Sequence, residues 1–168
     1  MAKITTKVFM KFSQDVYNVG ARMLDKTVEQ RIQREVIDQQ IKPIIASGSS
    51  PVKGASRFPA YKDKDSYPGK RKPSRPVNLK LTGDMLSYYR SWTEDKPTSM
   101  FIGFQRSVMP ELEVTKVIAH NEGTATVPKR KFVPGSQGDE FRPQVMIALR
   151  RIYRERMQSL VDKMKKRR

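Results

Sequence analysis

The sequence predicts an α+β fold. A small antiparallel sheet is packed by a long N-terminal helix, a short central helix and a C-terminal helix, and a long extended basic arm joins the first half to the second. Three observations predict it. Apolar residues recur at helical spacing near both ends of the chain, at Phe12, Val16, Val19 and Met23 and again from Val145 to Met164. Two short runs, Arg90–Thr93 and Ser99–Phe104, flank the turn Glu94-Asp95-Lys96-Pro97 as two strands would. Between these regions, about thirty residues show no period at all, which is long for a loop in a compact domain.

The first helical pattern runs from about Phe12 to Ile41. Val28, Ile32, Val36 and Ile41 continue the apolar stripe, while Asp15, Arg22, Glu29, Arg31 and Arg34 fall mainly off it. A break is expected near Gly20 or Asp25. Pro43 lacks the N–H that a helix interior needs, so the helix is expected to end near Gln40. Residues 2–10 read as an arm or a first short strand.

From Ala46 the character changes. Pro51, Gly54, Pro59, Pro68, Gly69, Pro73 and Pro76 punctuate the chain, and Lys53, Arg57, Lys62, Lys64, Lys70, Arg71, Lys72 and Arg75 make it strongly basic. Phe58, Tyr61 and Tyr67 sit among those cations. This arm, about 46–78, has two readings. It lies on a neighbouring subunit or on DNA, with aromatics as anchors and Lys and Arg meeting phosphates or carboxylates. Otherwise it is a solvated loop.

The stretch that follows, Val77 to Tyr89, reads as a capped helix on a core. Thr82 is placed to accept from a first-turn N–H, Asp84 sits near the positive end of the dipole, and Leu81, Met85, Leu86 and Tyr89 recur at helical spacing. Trp92, the sole Trp, is expected in the core. Glu111–His120 is ambiguous from its residues: Leu112, Val114 and Ile118 also suit an alternating strand. Thr124–Pro134 reads as extended, limited by Pro128 and Pro134 to an edge or rim: either Pro128–Phe132 is an exposed basic edge with Phe132 turned inward, or Phe132 locks the segment while Arg130 and its neighbours reach an adjacent subunit or DNA. A last helix is expected from near Asp139, with Pro143 in its first turn and Val145, Leu149, Tyr153, Met157, Leu160 and Met164 as its stripe. Arg150, Arg151, Arg154 and Arg156 flank that stripe. The basic tail, about 163–168, suits the negative end of the dipole or extends the helix toward phosphates.

The 168 residues suit a single domain, 1–168. No apolar run approaches the roughly 20 residues of a membrane span. Met1–Lys7 carries charge with no apolar core behind it, so no signal peptide is expected. The absence of Cys excludes disulfides and thiolate metal sites and fits synthesis in a reducing compartment. Lys and Arg number 34 against 17 Asp and Glu, a net charge of +17. Such a field favours a polyanion or an acidic protein as partner; nucleic acid, an acidic protein ring and an anionic membrane surface all fit, and net charge chooses none of them.

The sequence nominates no catalytic residue, metal ligand set or cofactor. His120 is the single histidine and lacks a companion nucleophile, an orienting group or further ligands. Ser49, Ser50 and Ser87 lie outside any nucleophile elbow, and Gly48 and Gly54 do not frame a phosphate-binding loop. Asp63, Asp65, Asp84, Glu94 and Asp95 sit in arm, cap and turn contexts. The expectation is a protein that is not an enzyme.

Two blocks of residues carry a family resemblance. Leu79, Thr82, Gly83 and Leu86 form a Leu-x-x-Thr-Gly-x-x-Leu pattern that resembles the central motif of phage virion morphogenesis proteins. These are the tail-completion and head–tail joining proteins of tailed bacteriophages. Downstream, Ile118-Ala119-His120-Asn121-Glu122-Gly123-Thr124 and then Val127-Pro128-Lys129-Arg130-Lys131-Phe132-Val133-Pro134-Gly135 are similar to the family's "Ala-x-x-His-x-x-Gly-(Thr) … Pro-x-Arg-x-Phe" segment. The resemblance spans roughly Ala46 to Leu149. It departs in the long basic arm, the basic tail and Asn121-Glu122, where an aromatic residue or Gln is common in the family.

The resemblance implies a short helix ending at Gly123, whose missing Cβ permits a left-handed stop. It implies a structural virion protein that forms a multi-subunit ring at the head–tail junction, assembled in the bacterial host cytoplasm. The ring joins tail to head and lets DNA pass. Its partners would be copies of itself, the portal or adaptor, and the tail tube or terminator proteins, with transiting DNA meeting basic residues and no membrane involved. The candidate contacts to a neighbouring subunit or DNA are Arg57, Phe58, Tyr61, Tyr67, Lys70, Arg71, Lys72, Lys129, Arg130, Lys131 and Phe132. The competing expectation, from charge alone, is a basic nucleic-acid-binding protein such as a ribosome-associated or DNA-packaging factor, although no helix-turn-helix, RNA-recognition motif or zinc finger is visible.

Overall fold

A computed structural model describes residues 23–59, 84–93, 100–134 and 139–166. The first part of the helix expected over Phe12–Ile41, up to Arg22, together with the Thr82 cap, the turn at 94–97, and Arg167 and Arg168, lies outside the described residues. Among the described residues the chain forms, in order, α1 (Lys26–Arg31), a π-helical stretch (Ile32–Ile41), α2 (Lys42–Ala46), α3 (Asp84–Ser87), β1 (Tyr89–Thr93), β2 (Met100–Phe104), a 3-10 turn (Arg106–Val108), α4 (Glu111–Glu122) and α5 (Pro143–Lys165). Among the described residues the architecture is α+β: one two-stranded antiparallel sheet with helices.

Asp25 opens the first rod. Its backbone is extended and its carboxylate accepts from Val28 N at 3.1 Å, so α1 starts there with a capped end. The rod then widens. Val28, Ile32, Val36, Ile37, Ile41 and Ile45 are all buried, and they recur almost only in steps of four. In an α-helix of about 3.6 residues per turn such a stripe would wind off the core. Bonding each N–H five residues back widens the turn and keeps the stripe on one side.

Pro43 does not end this rod, contrary to the expectation from its missing N–H. The Lys42 N–H bonds to Ile37 O, five residues back, and Pro43 then falls at the first turn of α2, where a missing donor costs little. The rod ends at Ala46, with Ser47 N on Pro43 O at 2.9 Å and Gly48 at positive φ.

The first part of the predicted arm is docked on its own chain. Ser49 bridges Arg57, Val52 bridges Phe141, and Phe58 N donates to Gly48 O at 2.8 Å. Phe58 and Val52 are buried. The aromatic anchor therefore works here within the subunit. Tyr61, Tyr67, Lys70, Arg71 and Lys72 lie outside the described residues.

In the sheet, Tyr89 pairs with Phe104, Ser91 with Ile102 and Thr93 with Met100. Tyr89 and Ser91 are buried, and Met100, Ile102 and Phe104 pack against the core. Strand alternation then turns Arg90 and Trp92 to the other face. Trp92 is accordingly half-buried outside the core, stacked on Phe101 with centroids 5.4 Å apart. Ser91 ties β1 to the rod: its N–H donates to Gln33 Oε1 at 3.1 Å and its hydroxyl to Glu29 O at 3.0 Å.

α5 lies along the rod. It begins at Pro143 rather than near Asp139, because Phe141 is held in its bridge with Val52 and Arg142 takes the extended backbone that a following proline favours. Its buried residues are Val145, Ala148, Leu149, Ile152 and Leu160. Met157 and Met164, expected in the stripe, are 44% and 37% exposed. Repeated steps of four overshoot the turn of a true α-helix, so they drift off the core face. No helix among the described residues is long and apolar enough to cross a membrane.

Candidate functional site

The second motif block folds as one unit. α4 forms, which settles the ambiguity over Glu111–His120, and it ends at Gly123, where φ is 80° and ψ 160°. The chain turns back through Thr124, whose hydroxyl accepts from Val127 N at 2.9 Å. The returning segment, 128–134, is not a strand. It runs back along the end of α4, with Arg130 N donating to His120 O at 2.7 Å. Asn121 Oδ1 then accepts from both Phe132 N and Val133 N, each at 3.1 Å. Two backbone donors that would otherwise lack a partner in the interior are thereby satisfied by one side chain.

Gly123 is required at that turn. Its backbone conformation is open essentially to glycine alone, and an added Cβ would lie 3.0 Å from Lys129 N and Cβ. Gly123→Ala is expected to destabilise the protein by about 1–3 kcal/mol, read as a lower urea midpoint with an unchanged slope.

Arg130 is 1% exposed. Its Nε donates to Pro59 O at 3.3 Å, and its Nη1 lies 3.1 Å from His120 Nδ1. A guanidinium has only donors, so Nδ1 must accept and the imidazole proton sits on Nε2. Burial, and next the Arg130 charge, push the His120 pKa down to about 4. Protonating His120 would set a donor against a donor and a cation against a cation.

That contact makes a pH prediction. The unfolded chain takes up a proton on His120 near pH 6.5, while the folded chain resists until about pH 4. The unfolded state therefore binds more protons between those values, and stability falls as pH drops through the window. The expected loss is about 1–3 kcal/mol after allowance for solvent screening, and His120→Asn should flatten the step. Urea midpoints at pH 7, 5.5 and 4.5 measure it. Glu35, bonded by Arg31 and held down to about 2, acts in a lower window, from about 4.5 downward.

Phe132 is fully buried, and its ring meets Phe104 edge-on at 5.6 Å. Phe104 in turn meets Tyr89 at 5.0 Å, and the Tyr89 hydroxyl donates to Phe132 O at 3.3 Å. Burial pushes the Tyr89 pKa upward. Ser50 from the arm donates to Lys131 O, so arm, return segment and hairpin close on one another.

Of the described contact candidates, Phe58, Arg130 and Phe132 are thus buried within the subunit, not presented on its surface. Lys131 is ion-paired with Asp139 at 2.5 Å, and Lys129 is exposed beside Glu122 at 3.5 Å. Arg57 is exposed. The structure brings Arg130 and Phe132 together with His120, Asn121 and Gly123; Arg57 stands apart on the arm. Asn121 and Glu35 carry more than their sequence context suggests. Glu35 meets Arg31 at 3.1 Å, Arg34 at 3.2 Å and Arg151 at 3.0 Å, joining the rod to α5.

The cleft lined by Glu29, Gln33, Ser87, Arg90 and Ser91 is polar, but Gln33 Oε1 and the Glu29 carboxylate are already engaged by Ser91 and Thr93. Among the described residues no three His, Asp or Glu side chains converge as metal ligands would. No protein-family model, curated protein or solved structure matches the chain.

Proposed function

We propose that the protein is a structural component of a tailed-phage virion, assembled in several copies as a ring at the head–tail junction, where it completes the neck or tail. The observation that carries this reading is the second motif block. Its His120, Gly123, Arg130 and Phe132 occur in the order of the virion morphogenesis pattern, and all four engage in one latch that holds the chain's own fold. Leu86 of the first block is buried in the core; Leu79, Thr82 and Gly83 lie outside the described residues. The reading gives His120 a structural part, in keeping with its bond to Arg130, and no catalytic one.

In this reading the α+β core is a rigid wedge. The basic stretch with Tyr61, Tyr67, Lys70, Arg71 and Lys72 engages neighbouring subunits or the DNA conduit. Copies in a ring repeat each contact, so modest interactions add up. Assembly takes place in the host cytoplasm, and the product resides in the virion.

Electron microscopy of particles made with and without this chain tests the reading. Filled heads separated from finished tails, or tailless heads, are expected in its absence. Normal infectious particles without it would overturn the proposal. The net charge of +17 favours one second reading, a free nucleic-acid-binding protein. Tight binding to duplex DNA or RNA with a steep salt slope, together with no virion defect, would select it.

A further inference from the structure

The side of α5 turned from the core carries the exposed Ile147, Arg150, Arg154, Met157 and Met164 and the half-buried Val161, at steps of three, four, three, four and three. This is a seven-residue repeat over three heptads, the spacing of a seam that packs against another helix. It lies away from Val145, Ala148, Leu149 and Ile152, which face the core. Ile147 is 64% exposed. Arg150 and Arg154 are exposed and form no ion pair with a described residue, whereas the adjacent Arg151 and Arg156 are engaged by Glu35 and Asp25.

We infer that this seam docks an acidic amphipathic helix of a partner protein, its apolar residues meeting Ile147, Met157, Val161 and Met164 and its carboxylates meeting Arg150 and Arg154. Charge selects this occupant over a second copy. Two chains of +17 repel, and a parallel self-pair would set Arg150 and Arg154 against their own copies. An antiparallel self-pair would bring all four guanidinium groups into one seam without a carboxylate from either seam. The apolar half of the seam argues against a phosphate backbone, which gains nothing from Ile and Met side chains. Exposed Met and Arg in one strip is instead the composition of a protein interface. The inference does not depend on the head–tail reading: it is tested on the isolated protein, whereas that reading is tested on particles, so the two fail separately.

The probe is a designed helical peptide of about three heptads, with Leu at its seam positions and Glu beside them. Fluorescence anisotropy compares it with a scrambled peptide of identical composition and with a short DNA duplex. The patterned peptide is expected to bind about tenfold tighter than the scrambled one or more. Ile147→Ser with Met157→Ser, and separately Arg150→Gln with Arg154→Gln, should each weaken it about tenfold. Lys163→Gln with Lys166→Gln removes the same charge from elsewhere on the helix and should change it less than about twofold. Equal binding of the scrambled peptide, or an equal loss on removing the two lysines, overturns the seam. Absence of peptide binding overturns it as well. Tighter binding of the duplex, abolished by Arg150→Gln with Arg154→Gln, would make it a nucleic-acid face. A dimer lost in Ile147→Ser with Met157→Ser would make the occupant a second copy.

Discussion

Replacing Phe132 with Ala is expected to destabilise the protein by about 3–5 kcal/mol, a large share of a small domain's stability. The ring is fully buried and forms the end of an edge-to-face series through Phe104 to Tyr89. Truncation removes its transfer free energy and leaves a cavity under a segment that is not part of the sheet and cannot collapse as one strand. Its backbone carbonyl also receives the Tyr89 hydroxyl, so a shift of the segment strands a buried donor. Phe132→Leu keeps most of the volume and should cost about 1–2 kcal/mol. Urea unfolding measures both, and a loss below about 1 kcal/mol for the Ala variant would show that the segment does not rest on this ring. Because the latch includes arm residue Ser50, faster amide exchange is expected at Val52 as well, whose N–H donates to the Ser50 hydroxyl.

Much of this arrangement is legible in the residues, and what is not legible has more than one physical cause. The α+β class and the described parts of the two terminal helices follow from helical periods, and the two strands from short runs on either side of a turn signal. In the helices the differences arise because a step of four is not equivalent to a helical turn. In the rod, Val28, Ile32, Val36, Ile41 stay in line because the turn is widened, and the same widening carries the helix through Pro43. In α5 the turn is an ordinary one, so Leu149, Tyr153 and Met157 wind outward while Ile152, which lies off the step-of-four stripe, is fully buried. Trp92 suits a core by its type, but it stands three residues from the buried Tyr89 on β1, which turns it to the other face. A basic cluster such as Lys129-Arg130-Lys131 suits a surface, yet Arg130 is buried and Lys131 is ion-paired. Their partners, His120 and Asp139, are contacts that folding supplies and local composition does not announce. Asn121 looked like a departure from a pattern, and no local signal marks an amide that will serve two distant N–H groups.

Asn121→Ala is expected to cost about 2–4 kcal/mol, the second-largest effect, although it deletes little apolar volume. The Asn121 Oδ1 is the acceptor for Phe132 N and Val133 N, and the Asn121 Nδ2 donates to Glu122 Oε1 at 2.7 Å. Alanine leaves the two donors without that partner where water has little access, and each such group costs about 1–3 kcal/mol. Asn121→Asp separates acceptor from donor: it keeps an oxygen for both N–H groups but places a carboxylate beside Glu122. Its cost should therefore be smaller at pH 7, about 1–2 kcal/mol, and should shrink as pH falls and one carboxyl is protonated. Amide exchange at Phe132 and Val133 is the direct readout. It should accelerate strongly in the Ala variant and modestly in the Asp variant. Equal acceleration in both would mean that the oxygen is not what holds the segment. Phe132 and Asn121 secure the same return segment, 128–134, so the double variant Asn121→Ala, Phe132→Ala should cost less than the sum of the two single changes by at least about 0.5 kcal/mol. Full additivity would show two independent anchors in place of one latch.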